Sequence, residues 1–258
     1  MMKDVQNLAD PRNIDIDQVG IRDIVYPIVV RDRDKGSQHT VATISMSVNL
    51  PHNFKGTHMS RFVEILHKHQ ADIGTDTIKD LLEDMRTSLT AQESHIELAF
   101  KYFIEKRAPV SGQSSLMDYD CEFSSTLSDS RHDLVMTVSV PVLSLCPCSK
   151  EISEYGAHNQ RSTVRISIRC KKIVWIEEIV AYAESSASSP IYALLKREDE
   201  KFITERSYEN PVFVEDIVRN VTQLLDKDSR ITWFEVSSSN MESIHNHNAW
   251  ARVVHKKV

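Results

Sequence analysis

Two cysteines and a histidine lie close together in the second half of the chain, in the stretch SLCPCSKEISEYGAHNQRS. Cys146 and Cys148 are separated by one residue, and His158 follows ten residues after Cys148. The sequence holds only 4 cysteines in 258 residues, so half of them fall in this stretch. Thiolate and imidazole together suit Zn²⁺ and tolerate other first-row divalent ions. A metal site is therefore one candidate for this stretch.

The same residues have other interpretations. A cysteine at the end of a strand is often a small apolar core residue, and a lone histidine is often a loop residue. A disulfide between Cys146 and Cys148 is disfavoured because so small a ring strains its geometry. No spacing here matches a zinc finger or an HExxH helix, so residue types leave these alternatives open. Further carboxylates and imidazoles follow downstream: Glu200, Glu215, Glu242, His245 and His247.

Composition places the chain among ordinary globular proteins, with 41% hydrophobic and 26% charged residues and a net charge of −6. This charge gives no reason to expect a nucleic-acid partner, although a local basic pocket for phosphate is compatible with it. No window approaches the roughly 20 apolar residues of a membrane helix, and the N-terminal MMKDVQNLADPRN has no signal-peptide core. We therefore expect a cytoplasmic protein with reduced thiols and no membrane partner.

Hydrophobic periodicity predicts strands and helices in a repeated order. In the first half, strands are predicted at DIVYPIVV and 42–50, helices near 60–66 and 78–89, and strands at HIELAFKYF and LMDYDCEFSSTL. In the second half, strands are predicted at 136–142 and 164–168, helices at 176–183 and 214–225, and strands at RITWFEVSS and AWARVVHK. Asn210 is predicted to cap the last helix, with Pro211 as its first residue.

The order strand-strand-helix-helix-strand-strand thus occurs twice. It predicts an α+β fold of two tandem ββααββ modules, each with an antiparallel sheet and helices on one face. The modules are predicted to span 1–128 and 129–258. All the candidate metal ligands lie in the second one.

The stretch LCPCSKEISEYGAHNQRS closely resembles the signature of the type IB GTP cyclohydrolases, which open folate synthesis in prokaryotes. Other blocks are similar to that family in the same order, over about residues 11 to 255: KGTHMSRF, APVSG, LLKREDEKFITE, YENPVFVEDIVR and ESIHNH. The resemblance implies the tunnelling fold, in which such modules assemble into barrels on oligomerisation. It further implies a homotetramer with active sites at subunit interfaces.

The resemblance also implies roles for individual residues. The implied ligands of a divalent metal, Zn²⁺ or Mn²⁺ with Fe²⁺ as a further candidate, are Cys146, His158 and Glu200. The implied catalytic groups beside that metal are His245, Glu242 and Cys148. Glu215 matches the carboxylate that anchors the purine, since a carboxylate can accept two hydrogen bonds from guanine. The candidate cations for the triphosphate are Lys55, His58, Arg61, Arg161, Lys196 and Arg197. The residues between Cys148 and His158 are predicted to connect two strands, which brings Cys146 and His158 together at the end of a hairpin.

The implied reaction converts GTP and water to 7,8-dihydroneopterin triphosphate, a pterin on the route to tetrahydrofolate, and formate. Metal-activated water attacks carbon-8 of the purine, the imidazole ring opens, formate leaves and the pterin ring closes. Two alternatives stay open. One is a non-catalytic metal- or purine-binding protein of the same fold. The other is a 7-deazaguanine nitrile reductase, which uses a nucleophilic thiol and a nicotinamide cofactor. One departure from many relatives is Ser189-Pro190, where a cysteine is expected.

Overall fold

The computed structural model describes Gln6, Leu8 and residues 10–257. None of the helices in this part of the chain is both long and apolar enough to cross a membrane. The elements within it are, in order, β1 (Ile16–Asp32), β2 (Gly36–Leu50), α1 (Met59–His69), α2 (Ile78–Leu89), β3 (Glu93–Arg107), β4 (Ser114–Ser128), β5 (His132–Leu145), α3 (Pro147–Ile152), β6 (Asn159–Cys170), α4 (Ile176–Ser186), β7 (Ser189–Pro190), α5 (Arg197–Glu209), α6 (Val214–Lys227), β8 (Ile231–Asn240) and β9 (Ala249–Lys256).

The chain folds into two compact units. The first unit comprises the residues up to Lys101 together with Glu122–Met136, and the second comprises Tyr102–Cys121 together with Thr137–Val258. Strands β3, β4 and β5 each contribute residues to both units. The predicted module bounds, 1–128 and 129–258, stay a prediction.

The first unit is built on antiparallel strands backed by two helices. Strand β1 pairs with β2, and β2 pairs with β3 from Ala42 opposite Phe100 to Val48 opposite Ser94. Alternate residues of β2 from Ala42 to Leu50 are buried, as the sequence pattern predicts. Helix α1 contacts β1, and α2 contacts β2. The predicted strands and helices of this region are confirmed.

The second unit contains the antiparallel run β6–β8–β9. Helix α6 packs against β8, β9 and α4, and its buried residues include Ile217 and Val221. The facing core of β8 includes Phe234 and Val236, which are fully buried. The short β7 pairs with β5, with Pro190 opposite Val142. An α+β architecture with antiparallel strands is therefore confirmed, and its assembly into barrels stays a prediction.

Two helices of the second unit, α3 and α5, are absent from the sequence-based prediction. Helix α3 has only six residues. Helix α5 has 13 residues, but its only buried ones are Asp199 and Ser207. Because a helix is recognised in sequence by its apolar stripe, one that buries only polar side chains gives no such signal.

The predicted start of α6 is wrong. Its N-cap is Phe213, three residues after Asn210. Asn210 instead ends α5, where its backbone N–H donates to the Arg206 carbonyl at 3.0 Å. Its side-chain amide donates to the Ala187 carbonyl, also at 3.0 Å. Because α6 begins only at Val214, Asn210 is too far from it to be its cap, and Pro211 lies in the link between α5 and α6.

Candidate active site

The backbones of Cys146 and His158 meet where β5 ends and β6 begins. The Cys146 N–H donates to the His158 carbonyl at 3.1 Å, immediately beyond the last residue of β5. Between them the chain forms α3, with Pro147 in its first turn, and then turns at Gly156, whose φ of +90° favours glycine. The prediction that these two residues meet at the end of a hairpin is confirmed.

Ser149, which lies on α3 between Cys146 and His158, is hydrogen-bonded to both of them. Its N–H donates to the Cys146 sulphur at 3.4 Å, and its hydroxyl donates to the Cys146 carbonyl at 3.2 Å. The same hydroxyl accepts the His158 N–H at 3.2 Å. Ser149 therefore holds the Cys146 sulphur through its backbone N–H, and its hydroxyl links the backbones of Cys146 and His158.

The His158 ring is oriented by a chain of buried polar side chains. Its Nδ1 lies 2.9 Å from Gln160 Oε1, and Gln160 Nε2 donates to the Ser144 hydroxyl at 2.9 Å. Ser144 in turn shares a hydrogen bond of 2.8 Å with Ser162. Because the Gln160 oxygen can only accept, Nδ1 is the donor of this hydrogen bond, and Nε2 is the ring nitrogen left for a ligand. This arrangement is typical of a metal-binding histidine held by a further hydrogen bond.

Glu242 lies beside His158. Its Oε2 is 3.9 Å from His158 Nδ1, and the side chains of Glu242 and His158 are 12% and 15% exposed. The Met241 N–H donates to the Arg161 carbonyl at 3.0 Å, which fixes the segment after β8 against the start of β6. The structure thus places Glu242 close to His158.

The other residues predicted around the metal are exposed. Cys148 lies on α3, and Glu200 lies in the first turn of α5. His245 and His247 stack on each other with ring centroids 5.0 Å apart. Among the described residues, no group of three or more His, Cys, Asp or Glu side chains is close enough to hold a metal. The ligand set Cys146, His158 and Glu200 therefore stays a prediction.

Two helices carrying predicted site residues are tied to the hairpin end. Lys150 of α3 donates to the Tyr208 carbonyl of α5 at 2.5 Å, and its ammonium lies 4.4 Å from the centroid of the Tyr208 ring. The Val212 N–H, just before α6, donates to the Leu145 carbonyl at 3.1 Å. Glu215 is exposed in the first turn of α6, where the helix dipole favours a carboxylate.

The predicted phosphate-binding cations are divided between the two units. Arg161, Lys196 and Arg197 are exposed in the second unit. In the first unit Lys55 is exposed, and His58 and Arg61 are half-buried. Arg61 also has a structural bond, because its Nη1 donates to the Ser88 carbonyl in the last turn of α2 at 2.7 Å. Their part in binding phosphate stays a prediction.

Sequence reasoning missed the supporting residues Gln160, Ser144 and Ser149. Gln160 carries a usable signal, because it is in phase with the buried face of β6 at Val164, Ile166 and Ile168. A polar residue on the buried face of a strand needs a hydrogen-bond partner. Ser149 carries no such signal in the sequence.

Comparison with solved structures places the fold among urate oxidases, which have the tunnelling fold. A uricase from Bacillus fastidious matches with a TM-score of 0.58 at 8% identity, covering 93% of this chain and 92% of that one. The uricase from Arthrobacter globiformis matches with a TM-score of 0.52 at 9% identity, covering 93% of each chain. At such low identity the likeness concerns the fold alone.

Sequence comparison identifies the family. Residues 2–251 match the family model described as type I GTP cyclohydrolase folE2. The GTP cyclohydrolase FolE2 of Geotalea uraniireducens is 55% identical over 256 residues, 99% of this chain and 94% of that protein. That of Syntrophus aciditrophicus is 54% identical over 252 residues, 98% of this chain and 99% of that protein. The chain therefore belongs to the type I GTP cyclohydrolase FolE2 family.

The hydrogen bond from His158 to Gln160 generates the first prediction. Gln160→Leu removes the acceptor of the Nδ1 proton, so the ring loses its orientation. We expect the Zn²⁺ affinity to fall about 10- to 100-fold. Competition with a chromogenic chelator measures this affinity. The matched control is Gln223→Leu at an exposed position of α6, which should leave it unchanged. Equal affinities for the two variants would contradict the orienting role of Gln160.

Proposed function

We propose that this chain converts GTP and water to 7,8-dihydroneopterin triphosphate and formate at the β5–β6 hairpin end. Membership of the GTP cyclohydrolase family supports the reaction. The observation that supports the place is the pairing of Cys146 with a His158 whose Nδ1 is held by Gln160. A thiol and an available imidazole nitrogen, held by one short hairpin, are donors that a divalent ion accepts.

We assign Cys146, His158 and Glu200 as the residues that hold this ion, with Zn²⁺, Mn²⁺ and Fe²⁺ as candidates. The donor set fits, because sulphur and nitrogen suit Zn²⁺ and a carboxylate is tolerated by all three ions. The resemblance to the type IB enzymes supports Glu200 as the third ligand, and α5, the helix that carries it, is attached to α3 by the bond from Lys150 to Tyr208. A bound ion supplies the Lewis acidity that makes water a nucleophile near neutral pH.

We assign the proton transfers of the reaction to His245, Glu242 and Cys148. Ring opening and ring closure move protons on and off purine nitrogens, which requires groups that can both donate and accept. His245 is the main candidate because an imidazole changes its charge near physiological pH. Glu242, 3.9 Å from His158, is placed to orient a ring or to accept a proton. Cys148, exposed on α3, is the further candidate.

Glu215 is assigned to guanine. Its carboxylate can accept hydrogen bonds from the 2-amino group and the ring N–H, a pattern that adenine does not offer. The first turn of α6 is a rigid support, because five residues of this helix are buried and the Val212 N–H holds its start against β5. Cations bind the triphosphate, and arginines are favoured because they bind phosphate oxygens in pairs; the candidates are Arg161, Arg61, Lys55, His58, Lys196 and Arg197.

We further propose a cytoplasmic homotetramer with barrels closed between chains and active sites at the subunit interfaces. The resemblance to the type IB enzymes supports this assembly. The product is proposed to enter the route to tetrahydrofolate. The proposal is tested against two alternatives. One is a protein that binds metal or purine without turnover, and the other is a nitrile reductase.

The second prediction concerns turnover and metal together. Purified protein with GTP and Mn²⁺ or Zn²⁺ should release formate and, after oxidation, a fluorescent pterin in equal amounts. Cys146→Ala and His158→Ala should each lose bound metal and lower the rate by at least about 100-fold, because the ion is no longer held. Metal analysis and the pterin assay measure the two effects.

The matched control for Cys146→Ala is Cys170→Ala, which removes a half-buried thiol at the end of β6 that has no assigned role. It should keep both metal and rate. Folded wild-type protein that forms no pterin with any divalent metal would overturn the proposed function. Full metal content in both site variants would overturn the ligand assignment alone.

The third prediction concerns the purine anchor. Glu215→Gln replaces a carboxylate with an amide that can accept only one of the two guanine hydrogen bonds. The KM for GTP should rise about 10- to 100-fold, since a hydrogen bond to a charged group contributes about 1.5–3 kcal/mol. Metal content should stay constant. Glu198→Gln, the same change at an exposed first-turn position of α5, is the control. Normal turnover of GTP by Glu215→Gln would refute the anchor.

A further inference from the structure

Helix α5 is held in the second unit by polar contacts. It carries Lys196 at its N-cap and Arg197 and Glu200 in its first turn, all exposed. Its buried residues, Asp199 and Ser207, are both polar. A helix is usually fixed by an apolar face, so the placement of this one has to come from hydrogen bonds.

Asp199 makes the central contacts of this kind. Its Oδ1 accepts the backbone N–H groups of Val110 at 2.8 Å and Ser111 at 2.9 Å. Its Oδ2 accepts the Ser111 hydroxyl at 2.6 Å and the Lys196 N–H at 2.8 Å. The carboxylate is fully buried and receives four hydrogen bonds, so it joins the start of α5 to the loop after β3.

All four groups that contact the Asp199 carboxylate are hydrogen-bond donors, three backbone N–H groups and one hydroxyl. Each of these donors is satisfied only by an acceptor at this position. The contact therefore depends on a carboxylate and not merely on a residue of similar size.

A second contact holds the segment that leads into α5. Lys106, near the end of β3, donates to Glu184 Oε1 at 2.5 Å and to the Ile191 carbonyl at 2.7 Å. Its ammonium lies 4.3 Å from the centroid of the Tyr192 ring, and its side chain is only 9% exposed. The buried ammonium thus fixes the chain five residues before Lys196.

The stretch Lys106–Ser111, which we call the clamp segment, therefore holds 191–199 at both ends. It is itself a closed turn, because the Ala108 N–H donates to the Gln113 carbonyl at 2.9 Å and the Gly112 N–H donates to the Ala108 carbonyl at 3.1 Å. Gly112 has a φ of +67°, which suits this turn. The clamp segment overlaps the block APVSG, to which the proposed function assigns no role.

We propose that the clamp segment positions the first turn of α5 so that Glu200 is presented to the metal, with Asp199 as the main positioning residue. This inference rests on the proposed function, in which Glu200 is the third ligand. Asp199 and Glu200 are neighbours on one helical turn, with Asp199 buried against the clamp segment and Glu200 exposed. A fixed Asp199 therefore sets the direction in which Glu200 points.

The fourth prediction tests this role by metal affinity in the absence of GTP. Asp199→Asn keeps the size of the side chain, but the amide nitrogen that replaces Oδ2 cannot accept the Lys196 N–H or the Ser111 hydroxyl. The Zn²⁺ affinity of the assembled protein, measured by chelator competition, should fall about 10-fold. Thermal unfolding is followed in parallel.

The matched control is Glu178→Gln. Glu178 occupies the same third position in α4, where it accepts the Trp175 N–H at 2.9 Å and pairs with Arg230. This change should lower the unfolding temperature and leave the Zn²⁺ affinity within about 2-fold, because α4 carries no ligand. The control therefore separates a loss of stability, which both variants should show, from a loss of Zn²⁺ affinity, which only Asp199→Asn should show.

Glu200→Gln separates the two proposals. If it lowers the Zn²⁺ affinity and Asp199→Asn does not, the positioning role is overturned and the ligand assignment stands. If Glu200→Gln leaves the affinity unchanged, Glu200 is not a ligand and the positioning role falls with it, whatever the pterin assay shows.

Should Asp199→Asn fail to fold, Ser111→Ala decides, since it removes one of the four hydrogen bonds. A drop in affinity then supports the role, and an unchanged affinity overturns it.

Discussion

One backbone hydrogen bond, from the Cys146 N–H to the His158 carbonyl, determines how the candidate site is built. It closes a stretch of thirteen residues, Cys146–His158, and brings the backbones of a cysteine and a histidine together although the sequence separates them. Three further features stabilise this closed stretch: the turn of α3, the left-handed backbone of Gly156 and the three hydrogen bonds of Ser149.

Buried polar groups then fix the orientation of the His158 ring at the end of the hairpin. An unpaired polar group in a protein interior costs free energy, so Gln160, Ser144 and Ser162 are stable only as a connected chain. That chain ends on His158 Nδ1 and fixes which ring nitrogen is available. The two helices that carry predicted site residues are held differently. Helix α6, which carries Glu215, is held by buried apolar side chains, whereas α5, which carries Glu200, is held by the buried carboxylate of Asp199.

The sequence predicts the parts of this fold that are held by apolar contacts. Alternation in β2 and the stripe of α6 are visible because Ile44, Met46, Ile217 and Val221 are buried at regular spacing. Helix α5 escapes prediction because its anchor is Asp199, whose partners lie 88 and 89 residues away in the sequence. Asn210 is misassigned because an asparagine before a proline fits a helix start as well as a helix end. The resemblance predicts the hairpin end, but Gln160 and Ser149 depend on contacts that spacing does not encode.

The fold alone does not define the function, since urate oxidases share it at 8–10% identity. The most direct test of the site is a crystal structure of the Zn²⁺-loaded protein with anomalous scattering measured at the zinc edge. We predict zinc about 2.3 Å from Cys146 Sγ and about 2.0–2.1 Å from His158 Nε2, with Nδ1 still donating to Gln160. Zinc bound to His158 through Nδ1, or bound away from both residues, would contradict the proposed metal site.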